Sequence, residues 1–174
     1  MFDSCPLLYH YGQDGEPASL RQTASPLLVG RQGLIYAGDG AALAACTPDG
    51  HVLWRRGLTG EVAAVAERAD GVVLAVDATG ITAIDPTGRP LWRRALSHAT
   101  ASSASPPSIA VDGQGRAYVG TADGIVRAVE HNGAVLWALR AGAPTTFGET
   151  PSIALGPAGT LAIAGIDGQL RVYR

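Results

Sequence analysis

Residues 121–137 read TADGIVRAVEHNGAVLW. Asp123 and Gly124 open a tight turn, a short apolar run follows, Asn132 and Gly133 make a second turn, and a last run ends in Trp137. Asp-Gly and Asn-Gly pairs supply the positive-φ positions that tight hairpins require. The runs between them are of strand length, far short of the ten or more residues a helix needs. The stretch therefore predicts hairpin-connected strands.

The same block recurs. Aligned on the glycine of the first turn, Gly40, Gly80, Gly124 and Gly168 stand 40, 44 and 44 residues apart. Trp54, Trp92 and Trp137 each lie four residues after a turn glycine, at Gly50, Gly88 and Gly133. Gly33, Gly71, Gly115 and Gly159 mark a further turn, and three residues beyond them stand Tyr36, Leu74, Tyr118 and Ala162. A repeat of this period is one supersecondary unit that buries its faces only by stacking on its neighbours. In the third unit the apolar runs are PSIAV, RAYVG, IVRAVE and AVLWALR. Each unit is thus expected to be a four-stranded antiparallel meander, with strands a to d. The units span 26–56, 63–94, 107–140 and 151–174, the last stopping at strand c, and 7–20 reads as a partial N-terminal unit with a turn at Asp14 and Gly15. Stacking such sheets radially gives an all-β fold, a β-propeller of about four blades in one domain over 1–174, a partial or half propeller. The tryptophans read as inter-blade packing groups.

Composition bounds the function. The chain has 174 residues, 47% hydrophobic and 16% charged, enough apolar content for a buried core and too little charge for wholesale disorder. Net charge is −2 and no basic block stands out, so nucleic acid is not an expected partner. All 13 basic residues are Arg, which excludes a P-loop lysine and a Schiff-base lysine. No apolar stretch approaches the roughly 20 residues of a membrane helix. The N-terminus, MFDSCPLLYHYG, shows no basic n-region, so the chain reads as unexported and cytoplasmic by default, unless it is a piece of a longer export product. Cys5 and Cys46 make neither a disulfide framework nor a zinc site and read as ordinary residues, Cys46 in a strand.

The blocks resemble the PQQ-like, quinoprotein-type propeller repeat. The matching residues are Ala117, Tyr118, Val119 and Gly120, then Asp123 and Gly124, then Gly133 to Trp137; in the second unit Ala83, Ile84, Asp85, Pro86, Thr87 and Gly88 through Leu91 and Trp92; in the first Tyr36, Asp39, Gly40 and Pro48, Asp49, Gly50 through Leu53 and Trp54. The resemblance implies the propeller fold. Quinoprotein dehydrogenases of this fold use PQQ and calcium at the axis with an aspartate base, and their docking repeat has nine residues between Ala and Trp. Here Ala45 to Trp54, Ala83 to Trp92 and Ala128 to Trp137 each have eight between, and no adjacent cysteines occur. The chain is therefore similar to the non-enzymatic members, which act as scaffolds or binding platforms. No cofactor, metal or catalytic residue is expected; a partial PQQ- and calcium-dependent dehydrogenase is the alternative.

Candidate chemistry is sparse. Asp39, Asp77, Asp123 and Asp167 fall near equivalent turn positions, where Asp before Gly is ordinary turn chemistry. His51 and His131 stand beside turns, and no His-Glu-x-x-His, Gly-x-Ser-x-Gly or Gly-x-Gly-x-x-Gly motif occurs. The loops between blades are more informative. Those at 95–106 and 141–150 supply His98, Thr145, Thr146, Phe147 and Glu149 as a partner-contact loop for a protein or small ligand, on the same rim as the b–c turns. Arg55, Arg56, Arg93, Arg94 and Arg140 end the outermost strands, where charge keeps an edge soluble and blocks strand pairing. The open strand c of the last unit and the strand-like 16–20 predict a homodimer completing an eight-bladed ring; the rival is that the chain is a fragment of a longer propeller.

Overall fold

The computed structural model describes residues 26–97, 106–145 and 148–174. Among these residues, fifteen strands form four antiparallel sheets in sequence order: β1 (Leu27–Val29), β2 (Ile35–Asp39), β3 (Ala42–Cys46) and β4 (Val52–Gly57); β5 (Val62–Glu67), β6 (Val73–Asp77), β7 (Gly80–Ile84) and β8 (Pro90–Ala95); β9 (Ser108–Val111), β10 (Ala117–Thr121), β11 (Ile125–Val129) and β12 (Val135–Arg140); β13 (Ser152–Leu155), β14 (Leu161–Ala164) and β15 (Leu170–Tyr173). Each strand pairs with the next in the chain, so every sheet is an up-and-down meander. The innermost strands β1, β5, β9 and β13 neighbour one another in series. This is a run of propeller blades. Among the described residues the expected helix-free pattern holds except for one short 3₁₀ turn (Pro157–Gly159).

Local chemistry sets the turns. The a–b and c–d turns close with a glycine N–H donating back three residues, as from Gly71 to Arg68 O and from Gly133 to Glu130 O. Turn aspartates add side-chain acceptors: Asp112 Oδ1 takes the N–H groups of Gln114 and Arg116, and Asp85 Oδ1 takes those of Thr87 and Arg89. Such Asx turns are the reason Asp and Gly punctuate the repeat.

The middle strands are buried on both faces and read as continuous apolar runs. Period-2 alternation assigns each residue to one junction. Tyr36, Leu43 and Ala45 of the first blade meet Val73, Ala75 and Ile84 of the second. Leu74, Val76, Ile81 and Ala83 on the second blade's other face meet Ala117, Val119 and Val129 of the third. Tyr118, Val126 and Ala128 then meet Leu161 and Ile163 of the fourth. The core is therefore a series of slabs between sheets.

The tryptophans lock these slabs at one rim. Trp54 Nε1 donates to Pro86 O at 3.0 Å, and Trp92 Nε1 donates to His131 O at 2.7 Å, each reaching the c–d turn of the following blade. A Cβ on Gly88 would lie 2.7 Å from the Trp54 ring, and one on Gly133 would lie 2.8 Å from Trp92, so each turn glycine is the seat of an indole. Both indoles also flank the apolar slabs. Ala45, Ala83 and Ala128 lie directly across the ladder from Trp54, Trp92 and Trp137, each next to a register shift. A bulge at that point re-aims the neighbouring side chains.

Gly80 departs from the expected turn series. Gly40, Gly124 and Gly168 have φ of 56°, 72° and 76°, whereas Gly80 is the first residue of β7 and is not a positive-φ glycine. Its lack of a side chain has a different cause: a Cβ there would meet the carbonyl oxygen of Arg94 on β8. Cys46 is also corrected. It ends β3, is fully buried and is disulfide-bonded, so it is not an ordinary thiol. Cys5, and the strand-like residues 7–20, lie outside the described residues.

Candidate functional site

The rim opposite the tryptophan seats carries the b–c turns and the blade-to-blade loops. Backbone bonds join them: Leu58 N to Ala41 O, Leu96 N to Thr79 O, and Ala141 N to Gly124 O. Ile166 N also donates to Ala141 O, which ties the third loop to the fourth blade. The two loop sets thus share one face, as the blade geometry predicts.

Four aspartates stand on this rim, and each is committed to an arginine. In the first two blades the aspartate ends strand b and the arginine comes from strand d, sixteen residues later. Arg55 Nη2 donates to Asp39 Oδ2 at 2.8 Å in an exposed pair. Arg93 donates through Nη1 and Nη2 to the two oxygens of Asp77 at 3.1 and 3.2 Å, and Asp77 is fully buried. In the last two blades the aspartate sits within the turn and the arginine comes from strand c, four residues later. Arg127 Nη2 donates to Asp123 Oδ2 at 2.6 Å, and Arg171 grips Asp167 through both nitrogens, at 3.0 and 2.5 Å. The four aspartates, near equivalent in sequence, are therefore two classes of position.

Their titration reflects this pairing. Burial pushes the Asp123 carboxyl up, but hydrogen bonds from Arg127 and Thr121 outweigh it and hold the group below its ordinary value. The hydrogen bond from Arg171 draws Asp167 down to about 2. Bidentate guanidinium contacts of this sort favour the ionised carboxylate.

These carboxylates do not fit a calcium ion: binding one would displace guanidinium groups already bonded to the same oxygens. Among the described residues no group of three or more His, Cys, Asp or Glu side chains is placed to hold a metal. His51 lies 3.4 Å from Asp49 and His131 lies 3.3 Å from Glu130, both histidines exposed beside c–d turns on the opposite rim.

Of the loop residues singled out from sequence, Thr145 and Glu149 are described, while His98, Thr146 and Phe147 lie outside the described residues. Thr145 organises a turn: its carbonyl accepts from Gly148 N and its Oγ1 accepts from Glu149 N, both at 3.1 Å. Glu149 is exposed. The loop is anchored to the third blade by Thr150 Oγ1 donating to Pro106 O at 2.7 Å and Ser108 Oγ donating to Pro151 O at 2.5 Å.

The strand-end arginines do more than solubilise an edge. Arg56 Nε donates to Gly88 O at 2.8 Å and Arg94 Nε donates to Gly133 O at 2.7 Å, so each reaches across to the next blade beside the indole two residues before it. Arg56 also lines an open groove of about 360 Å³ between the first and second blades, with Leu58, Thr59, Thr82, Pro90 and Arg93. Sequence reading missed this groove, because its walls come from two units and no motif spans them.

A family model described as outer membrane protein assembly factor BamB matches residues 13–165. The chain belongs to this PQQ-like repeat family. Among solved structures, BamB from Moraxella catarrhalis superposes with a TM-score of 0.69 at 19% identity over 94% of this chain and 54% of that one. A protein of unknown function from Bacteroides caccae superposes with a TM-score of 0.62 at 17% identity, over 92% of this chain and 65% of that one. The computationally designed Ika8 protein gives a TM-score of 0.66 at 16% identity, over 88% and 46%. This chain thus spans about half to two thirds of the length of these structures. No curated protein matches it in sequence.

Proposed function

We propose that this chain is a non-catalytic β-propeller scaffold that holds a protein partner on the rim of its b–c turns and blade-to-blade loops. The observation that carries the reading is the commitment of all four rim aspartates to arginines, together with backbone bonds that fix each described loop end to a turn. The described turns of such a rim are braced and chemically quiet, which suits recognition rather than reaction. Family membership supports the same reading, since its description is that of an assembly factor, a role exercised on other proteins. The Thr145 turn with exposed Glu149 is the contact element on this account, and the groove lined by Arg56 and Arg93 is a separate notch between the first two blades.

Site-specific photo-crosslinking tests this. A photoreactive residue is placed in turn at Thr59, Ser97 and Glu149 on the loop rim, and at Gln114 on the opposite rim. The proposal predicts one discrete protein adduct from the loop-rim positions and none from Gln114. Adducts confined to Gln114, or equal from both rims, would contradict it.

A further inference from the structure

Arg56 is held in place but not neutralised. Its Nε donates to Gly88 O at 2.8 Å, while neither Nη1 nor Nη2 makes a hydrogen bond or ion pair with a described residue. The guanidinium is thereby fixed along one edge and open along another. Arg93, on the second blade's wall of the same groove, differs: its Nη1 and Nη2 are engaged by Asp77, Thr79 and Thr82, and the buried Asp77 offsets its charge. The groove of about 360 Å³ that both arginines line, with Leu58, Thr59, Thr82 and Pro90, therefore carries one uncompensated positive charge and no acidic wall residue.

The equivalent span at the next junction is filled from within the chain. Thr82 and Arg127 hold the same place on strand c, each one residue before the alanine that faces its blade's tryptophan. Thr59 and Ser97 hold the same place in the blade-to-blade loop, five residues after Trp54 and Trp92. At the second junction Arg127 is almost wholly buried, and its Nη2 reaches Ser97 Oγ at 3.5 Å. At the first, the short Thr82 side chain accepts from Arg93 Nη1 and makes no hydrogen bond to Thr59. The groove is thus the span that an arginine crosses in the third blade and a threonine leaves open in the second.

We propose that this groove receives the carboxylate of a glutamate or aspartate side chain on a protein partner, gripped by the Nη edge of Arg56. The proposal names the chemistry of the partner and rests on the scaffold reading above. Charge decides the class. One open guanidinium edge matches one carboxylate through two parallel hydrogen bonds, whereas a phosphate dianion would leave a negative charge unmatched. Thr59 Oγ1, unused within the described residues, is a further donor, and Leu58 and Pro90 give the stem of the incoming side chain an apolar wall. Position agrees, because Leu58 and Thr59 belong to the first blade-to-blade loop, so the groove opens beside the rim assigned to the partner.

A capped tetraglutamate peptide titrated into the isotope-labelled chain, with amide and arginine Nε magnetic-resonance signals as the readout, tests this. The proposal predicts saturable, salt-sensitive shifts of the Arg56 Nε, Leu58 and Thr59 signals at millimolar peptide, and none with capped tetraglutamine. Arg56→Gln and Thr59→Glu are each expected to weaken binding about tenfold with melting unchanged. Should Arg56→Gln lower the melting temperature, Thr59→Glu, on an exposed loop residue, decides alone. Arg94→Gln removes the same charge at the equivalent place, where Arg94 Nε donates to Gly133 O, and is expected to leave binding unchanged. No binding, shifts that map elsewhere, or equal losses from Arg56→Gln and Arg94→Gln would overturn the proposal, as would tighter binding of inorganic phosphate than of the peptide. Loop-rim crosslinks obtained without tetraglutamate binding would sink this inference and leave the scaffold reading standing.

Discussion

Trp92 Nε1 and Arg68 Nη1 both donate to the backbone carbonyl of His131, at 2.7 and 3.0 Å, from the second blade into the c–d turn of the third. One carbonyl thereby receives a hydrogen bond from strand β8 and another from the a–b turn that follows β5 of the neighbouring sheet. Truncating Trp92 removes a large ring from the apolar slab and one of these bonds. Trp92→Ala is expected to cost about 3 kcal/mol, the low end for a buried aromatic, because one ring edge meets solvent. Trp92→Phe keeps the ring and is expected to cost about 1 kcal/mol for the lost hydrogen bond. Urea denaturation of both variants checks the order, and equal costs would remove the indole N–H from the account.

The seat of that indole makes a second contrast. Gly133 has φ of 85° and no room for a Cβ, whereas Gly33 has φ of 78° and open space around it. Gly33→Ala is expected to cost about 1–2 kcal/mol, the conformational term alone. Gly133→Ala adds a clash with Trp92 and is expected to cost measurably more, with a shift in tryptophan emission that Gly33→Ala does not produce. Identical melting curves for the two variants would argue against the seat.

Asp77 and Asp39 hold equivalent ends of strand b but differ in burial. Asp77 is fully buried between Arg93 and Thr79, while Asp39 and Arg55 are exposed. Asp77→Ala is expected to cost about 2–3 kcal/mol, mostly from the polar partners it strands. Asp39→Ala is expected to cost under about 1 kcal/mol. Chemical denaturation separates them, and a cost for Asp39→Ala matching that of Asp77→Ala would show that burial is not the deciding variable.

Acid stability follows from Asp123 and Asp167. Both carboxyls lie below their ordinary value of 3.8 in the folded chain, Asp167 at about 2. A depressed folded pKa stabilises the fold above the unfolded value and loses that contribution as pH falls through the folded one. The melting temperature is therefore expected to drop between pH about 4 and about 2. Asp167→Asn should flatten the lower part of that drop, and a profile unchanged by the substitution would contradict the pairing with Arg171.

Much of this was legible in the sequence because turn chemistry is local. Gly50, Gly88 and Gly133 announce c–d turns, and the four-residue step to each tryptophan places the indole at the blade margin. The seat itself was not legible, since Trp54 and Gly88 are brought together by stacking of separate units. The arginines show the same limit. Asp167 and Arg171 are near in sequence, but Asp77 meets Arg93 only because strands b and d flank strand c in one sheet. Gly80 misled for a related reason: it falls in step with turn glycines, yet it is fixed by the backbone of β8 rather than by its own φ.

The central claim is that this propeller works by presenting a surface and not by quinone chemistry. Titration with PQQ and calcium, followed by absorbance and thermal unfolding, tests it most directly. With Asp39, Asp77, Asp123 and Asp167 held by arginines, the account predicts no change in melting temperature at millimolar calcium and excess PQQ. A saturable rise that grows with ligand concentration, as binding to the native state requires, would contradict it and restore the dehydrogenase reading.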